Sequence, residues 1–294
     1  METMTQETQN LALIEASLAQ KRPFGDWCYI DEYTWACYDR RLERLAEHLP
    51  VAKILLAALR QASTDSRYRV MGDPVVRSTI NTALLGQTEL DIANASSEEL
   101  EAVFSVAARY LIEGRQVSPL EAGAQQAIRI GSNSYHAWVW CEERAEDAFG
   151  QSFRRLLNQA DSRYVLCTPD DHAQKMLVQG SQLLSELLPK LARSALHHNH
   201  IVAMLEVADQ KQRNNKRPGS STLYSFSNSI IPGTIFLFSS VLQTPWQAAE
   251  NLFHEALHQK LYDIEHTHSI FRRGYRVANS PQIRSLWNRS SSND

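Results

Sequence analysis

The residues best placed to do chemistry are His254, Glu255 and His258, in the stretch Phe253-His254-Glu255-Ala256-Leu257-His258-Gln259-Lys260. The pattern is H-E-x-x-H. On a helix, His254 and His258 stand one turn apart on the same face, so both imidazoles can hold one metal ion. Glu255 is rotated by about 100° but still flanks that face, in reach of a metal-bound water. Two imidazoles and a carboxylate suit Zn(II), and they also suit Fe(II) or another borderline divalent ion.

A helix must carry this triplet, and the flanking residues supply one. Thr244-Pro245-Trp246-Gln247 reads as a helix start: Thr at the N-cap, Pro at the first helical position and Gln three residues after the cap. Ala248, Ala249, Leu252, Phe253, Ala256, Leu257, Leu261 and Ile264 then recur at spacings of three and four, an apolar stripe expected to pack into a core. The third ligand is less defined. A metzincin would place a His, after a Gly, where this chain has Ile264, so that class is excluded. Glu265 shares the histidine face, but on a continuous helix it lies about 10 Å beyond His258, too far for bonds near 2 Å. Glu265, His266 or His268 could ligate only if the helix breaks near Asp263.

Composition sets the bounds. The 294 residues fit one large or two small domains, and 43% hydrophobic content is enough for a sizeable core. A net charge of −3 gives no case for nucleic acid as a partner. Cys28, Cys37, Cys141 and Cys167 are scattered without C-x-x-C spacing and read as reduced intracellular thiols. Met1 to Asn10 is polar rather than signal-like, and no apolar run approaches the roughly 18 residues that span a bilayer. A cytoplasmic protein without a membrane segment is expected.

Along the chain, helices are expected over Leu11–Ala19, Arg40–His48, Val51–Gln61, from Pro74 to Gly86, after the Ser96 cap to Gly114, and over Glu142–Asn158. The longest helix is expected over Asp170–His197, kinked at Pro189. Thr64–Val70 reads as a polar connector. Tyr29, Tyr33, Trp35 and Tyr38 form an aromatic cluster, read as core with a peptide groove as the alternative. Strands are expected at Tyr164–Cys167, Ile201–Val207 and after the Pro232-Gly233 turn. Ala127–Ile130 and Ala137–Trp140 could pair as a hairpin. His197, His198 and His200 read as a helix end stabilised by imidazoles rather than a metal cluster. Asp209–Ser221 reads as a polar, basic loop. The expected class is α+β, predominantly helical, with a few short strands next to the metal-binding helix. Residues 1–120 form a helical N-terminal region and 121–294 a metal-binding region, or the two make one continuous domain.

The segment from about Ser225 to Arg289 resembles the HExxH-type 2-oxoglutarate-dependent peptide β-hydroxylases, tailoring enzymes of ribosomally made, post-translationally modified peptides. The matching residues are Ser227 and Ser229, the Pro232-Gly233-Thr234-Ile235 strand start, Ala249 to His258, and Gln259-Lys260-Leu261; Asp73-Pro74-Val75-Val76-Arg77 is a fainter echo upstream. The resemblance implies a non-haem Fe(II) on His254 and His258, 2-oxoglutarate chelating it, and an Arg gripping the distal carboxylate. Arg suits that grip because its planar fork pairs bidentately. Arg284 and Arg289 are the candidates, with Arg272, Arg273 and Arg276 in reserve. The family usually continues past the Trp/Arg segment to another metal-binding His, whereas this chain stops five residues after Arg289. Either His266 or His268 substitutes, with His268 the choice, or the chain is a truncated form with a weakened site. The implied partner is a peptide substrate. Two alternatives stand beside this reading. One is a zinc metallopeptidase, with Glu255 as base and Thr234–Phe238 as the substrate-edge strand. The other is a non-catalytic peptide-binding relative.

Overall fold

The computed structural model of the chain describes residues 6–86, 96–123, 137–141, 147–208 and 225–267. Helices α1 (Gln6–Gln20), α2 (Trp27–Ala46), α3 (Pro50–Gln61), α4 (Thr64–Gly72), α5 (Pro74–Gly86), α6 (Ser97–Ile112) and α7 (Pro119–Gly123) come first. Strand β1 (Trp138–Val139), helix α8 (Ala148–Ala160), strand β2 (Tyr164–Cys167), helices α9 (Asp171–Leu187) and α10 (Pro189–Leu196) and strand β3 (Ile201–Val207) follow. Strands β4 (Ser225–Phe226) and β5 (Thr234–Phe238) precede α11 (Pro245–Thr267), which carries the H-E-x-x-H triplet. Helices take 69% of the described residues and the sheet is small and mixed, so the expected predominantly helical α+β class holds. No described helix is long and apolar enough to cross a membrane.

Strand β3 is the centre of the sheet. It runs parallel to β1 and β5 and antiparallel to β2, and β5 is flanked on its other side by antiparallel β4. Side chains alternate across a strand. Ile201, Ala203, Leu205, Phe236 and Phe238 therefore pack with α2, α3, α5, α6 and α8. Val202, Met204, Ile235 and Leu237 pack on the other face with α9, α10 and α11. Both faces are covered, which is why β3 and β5 read as unbroken apolar runs. The first core joins residues on both sides of position 120, from Tyr38 to Phe238.

Helix α11 is pressed against α9 at small residues. A side-chain carbon on Gly180 would lie 2.6 Å from the Ala248 methyl, so only glycine permits this approach. Thr244 caps α11 as expected, accepting from the Gln247 amide at 3.3 Å. Most of the apolar stripe is buried, but Leu261 is 53% exposed and does not join the core.

Other expectations are corrected. Thr64–Val70 is a helix, α4, capped by Ser63. Its composition is misleading because its buried face holds Ser66 and Arg69 as well as Val70 and Met71. The long helix expected over Asp170–His197 is two helices that meet at Leu188, with Pro189 at the first position of α10. Glu15 of α1 caps that second helix: its Oε1 accepts from the amides of Lys190 and Leu191 at 2.6 and 3.2 Å. The longest described helix is α11. Of the aromatic cluster on α2, Tyr38 is core while Tyr33 is exposed, so the cluster is spread around the helix and is neither one core patch nor one groove. Trp138–Val139 joins the sheet parallel to β3; the rest of the expected hairpin, Ala127–Ile130, and the Asp209–Ser221 loop lie outside the described residues.

His197 stands at the C-terminal cap of α10, so the expected helix end is there, but the three imidazoles lie in the interior and face carboxylates. All three are buried between the helical layers. His197 Nε2 meets Asp31, and His198 Nδ1 lies 2.9 Å from Asp263 of α11. His200 Nδ1 is 3.5 Å from Glu121 without a hydrogen bond, and Glu121 accepts from Arg69 at 3.1 Å. Arg77 pairs with Asp263 and donates to the Tyr38 hydroxyl at 3.2 Å. Burial pushes Asp31 up to about 7, and it pushes His197 and His200 well below the usual imidazole value. Asp263 goes the other way. Burial opposes its charge, but Arg77 and His198 together hold it well below the ordinary carboxylate range.

Lys260 of α11 is also buried, and its ammonium donates to Leu18 O, Gly25 O and Ser194 Oγ at 2.8 to 2.9 Å. Burial lowers it from 10.5 to about 8, against a smaller opposing pull from Asp26. Between those values the unfolded chain holds a proton that the folded chain does not, so this group makes stability rise with pH. Urea unfolding of the wild type from pH 8 to 10.5 is expected to show a Lys260-dependent gain of up to about 3 kcal/mol. Lys260→Met should lose that gain. An identical pH slope in both proteins would show that Lys260 is not desolvated.

Candidate metal centre

The triplet sits in the middle of α11, on the side where the helix faces the end of the sheet. Gln259 fixes the helix there. Its side-chain amide accepts from the Gly233 amide and donates to the Thr234 carbonyl, both at 2.8 Å, in the manner of a strand backbone. Gly233 has φ +81° at the entry to β5, a conformation that favours glycine. One residue after β4, the backbone brings Ser227 to the same place as Ser225.

The two imidazoles converge. His254 Nε2 and His258 Nε2 are 3.1 Å apart, with their rings nearly perpendicular. A metal about 2.1 Å from each nitrogen would see them at about 95°, within the range of tetrahedral and octahedral sites. His254 is 63% exposed and His258 is half-buried, so the nitrogens open onto solvent. Burial lowers His258 from its usual value, opposed by Glu255 and aided by His254, which favours the neutral imidazole. The donor set and spacing fit a divalent ion.

Glu255 is held differently. Its side chain is 4% exposed. Ser225 Oγ donates to Oε1 at 2.7 Å and Ser227 Oγ to Oε2 at 2.9 Å. Oε1 remains 4.0 Å from His254 Nε2. The carboxylate is therefore locked beneath the histidine pair, with both oxygens already hydrogen-bonded. Tyr262 completes the group. Its ring lies near-parallel to His258, and its hydroxyl reaches the Ser227 carbonyl at 3.5 Å. His254, His258, Tyr262, Ser227 and Glu255 form a closed circuit of contacts.

The remaining sequence candidates fare differently. The helix does not break near Asp263; it continues to Thr267. Glu265 stays exposed and too far along the axis. His266 faces away toward Arg77 and Arg41, and its carbonyl accepts from the Cys37 thiol. Both are removed as ligands. His268, Arg272, Arg273, Arg276, Arg284 and Arg289 lie outside the described residues. Among the described residues no set of three His, Cys, Asp or Glu side chains could hold a metal ion. Thr234–Phe238 is not a substrate-edge strand, because β3 and β4 pair with it on both sides. Sequence reasoning missed Tyr262, although its spacing of four from His258 was a usable signal, and it missed the serine clamp, which only the fold reveals. The faint upstream echo, Asp73 to Arg77, reaches α11 through Arg77 and Asp263.

No family model matches this chain, and no curated protein matches it. Fold and site define a helix-rich α+β protein with a solvent-facing histidine pair over a clamped carboxylate.

Proposed function

We propose that the chain is a non-haem Fe(II)/2-oxoglutarate-dependent oxygenase that hydroxylates a side-chain β-carbon of a ribosomally made peptide. The observation that carries a metal enzyme is the convergence of His254 and His258 at 3.1 Å on the open side of α11. The observation that favours an oxygenase is the state of Glu255, whose two oxygens already accept from Ser225 and Ser227. A hydrolytic base must take a proton from water. A carboxylate clamped by two hydroxyls is better suited to orienting a neighbour. His254 and His258 would hold Fe(II), with His268 as the third protein ligand and Arg284 or Arg289 gripping the far carboxylate of 2-oxoglutarate. Such an ion would supply, with its cosubstrate and O2, C–H oxidation in which one oxygen goes to the peptide and one to succinate, with release of CO2.

A zinc metallopeptidase is the second reading, favoured by the 4.0 Å from Glu255 Oε1 to His254 Nε2, which leaves the carboxylate near a ligand of the metal. Glu255→Gln separates the two. The oxygenase is expected to keep its metal and a measurable 2-oxoglutarate turnover, reduced mainly by poorer orientation. A peptidase would lose about 10²- to 10⁴-fold. Succinate release, 2-oxoglutarate-dependent oxygen uptake by anaerobically reconstituted protein, and peptide mass would be followed together. A gain of one oxygen supports hydroxylation; two fragments without succinate overturn it.

A further inference from the structure

Tyr262 has no assigned work in the reaction proposed above. It lies one turn beyond His258 and two beyond His254, so the three rings share a face of α11. Long helical side chains lean toward the N-terminus, which swings this phenol back over His258. The ring contact agrees: centroids 6.3 Å apart and planes 24° from parallel. Among the described residues its hydroxyl makes one long contact, 3.5 Å to the Ser227 carbonyl, at the limit of a hydrogen bond. Nearby polar groups are more firmly engaged: Ser225 and Ser227 hydroxyls donate to Glu255, and Glu255 accepts with both oxygens. Tyr262 thus stands beside His258 with an O–H held by one long hydrogen bond, on the helix face where His254 is open to solvent.

We propose that Tyr262 binds the anionic small molecule held at the His254–His258 pair, donating its phenol O–H to a carboxylate oxygen of that ligand. Resting on the oxygenase reading, the ligand is 2-oxoglutarate and the oxygen belongs to the carboxylate nearest the metal. Tyr262 then grips the near end of that ligand. The donor is neutral, so it selects an oxygen acceptor without adding a second cation beside the metal.

The test is Tyr262→Phe in the full chain, which keeps the ring on His258 and removes only the hydroxyl. Thermal stability and Co(II) affinity, measured with the metal alone, are expected to match wild type within about threefold. Anaerobic titration of 2-oxoglutarate into the Fe(II) protein is expected to show affinity about tenfold weaker, the scale of one hydrogen bond to a charged group. Acetate titrated into the Co(II) protein tests Tyr262 independently of the cosubstrate. If wild type binds acetate but not 2-oxoglutarate, the oxygenase reading fails, and a tenfold loss of acetate affinity in the variant still supports Tyr262. Equal carboxylate affinities in both proteins, or no carboxylate binding to wild type, overturn the assignment. So does a phenolate-to-Fe(III) charge-transfer band lost in the variant, or a large loss of Co(II) affinity, since either would make Tyr262 a metal ligand.

Discussion

His254→Ala and His258→Ala are each expected to abolish stoichiometric metal binding while the protein stays folded. The two Nε2 atoms, 3.1 Å apart, would act as one chelating pair, and either imidazole alone would be a monodentate histidine. Changing groups that merely orient a ligand costs about 10- to 100-fold in affinity, so losing a ligand outright should cost more. The fold should barely notice. His254 is 63% exposed, and surface substitutions away from special features fall within about 0.5 kcal/mol. His258 is half-buried and stacks on Tyr262, so its removal should cost somewhat more, about 1 kcal/mol. Helix α11 is held elsewhere, by Leu252 and Ala256 in the core, by Gln259 on the sheet and by Lys260 on the N-terminal turn. Elemental analysis after metal loading, alongside thermal unfolding, checks both halves. Full occupancy in both variants would sink the site.

This pair was legible in the sequence because it depends on helical period alone. The Thr244 cap and strands β3 and β5 were legible from other local signals, the capping residues and apolar runs that reflect burial on both faces. What could not be read depends on chain segments far apart. Glu255 looks like a free general base until β4 supplies Ser225 and Ser227, some thirty residues upstream. Thr234–Phe238 looks like an edge until β4 closes on it. His197, His198 and His200 follow a helix end, as local reasoning has it, but that reasoning gave them no partners beyond the helix. Their carboxylate partners come from α2, α7 and α11, which no local pattern announces. The polar look of α4 has the same origin, since Arg69 is buried against Glu121. Polar residues in the interior defeat periodicity because periodicity counts only apolar positions.

Arg77→Met is expected to destabilise the protein by about 3 to 5 kcal/mol, the largest single effect on stability anticipated here. Arg77 and Asp263 are both buried, and they join α5 to α11 across the molecule. Removing the guanidinium leaves Asp263 in a low-dielectric interior without its full positive charge, with His198 still beside it. Burial, now opposed by less charge, should push that carboxylate up instead of down. The pH dependence should change accordingly. In wild type the depressed Asp263 contributes stability above the unfolded value of 3.8, lost as pH falls toward its folded value. In Arg77→Met that acid-side loss should shrink or reverse. Arg77→Lys should not rescue fully, because the guanidinium reaches Asp263 through one nitrogen and the Tyr38 hydroxyl through another, and an ammonium lacks this fork. Removing both charges at once is different. Arg77→Met with Asp263→Leu deletes the buried charge together with its partner, and such replacements often come near neutral. The double variant should therefore recover most of the loss, read as the coupling in a urea-unfolding double-mutant cycle. If either single variant costs less than about 1 kcal/mol, the pair is not desolvated and α11 is positioned by its apolar face and Gln259 alone. If the double variant is as unstable as the singles, the cost lies in lost packing around Tyr38 rather than in an orphaned charge.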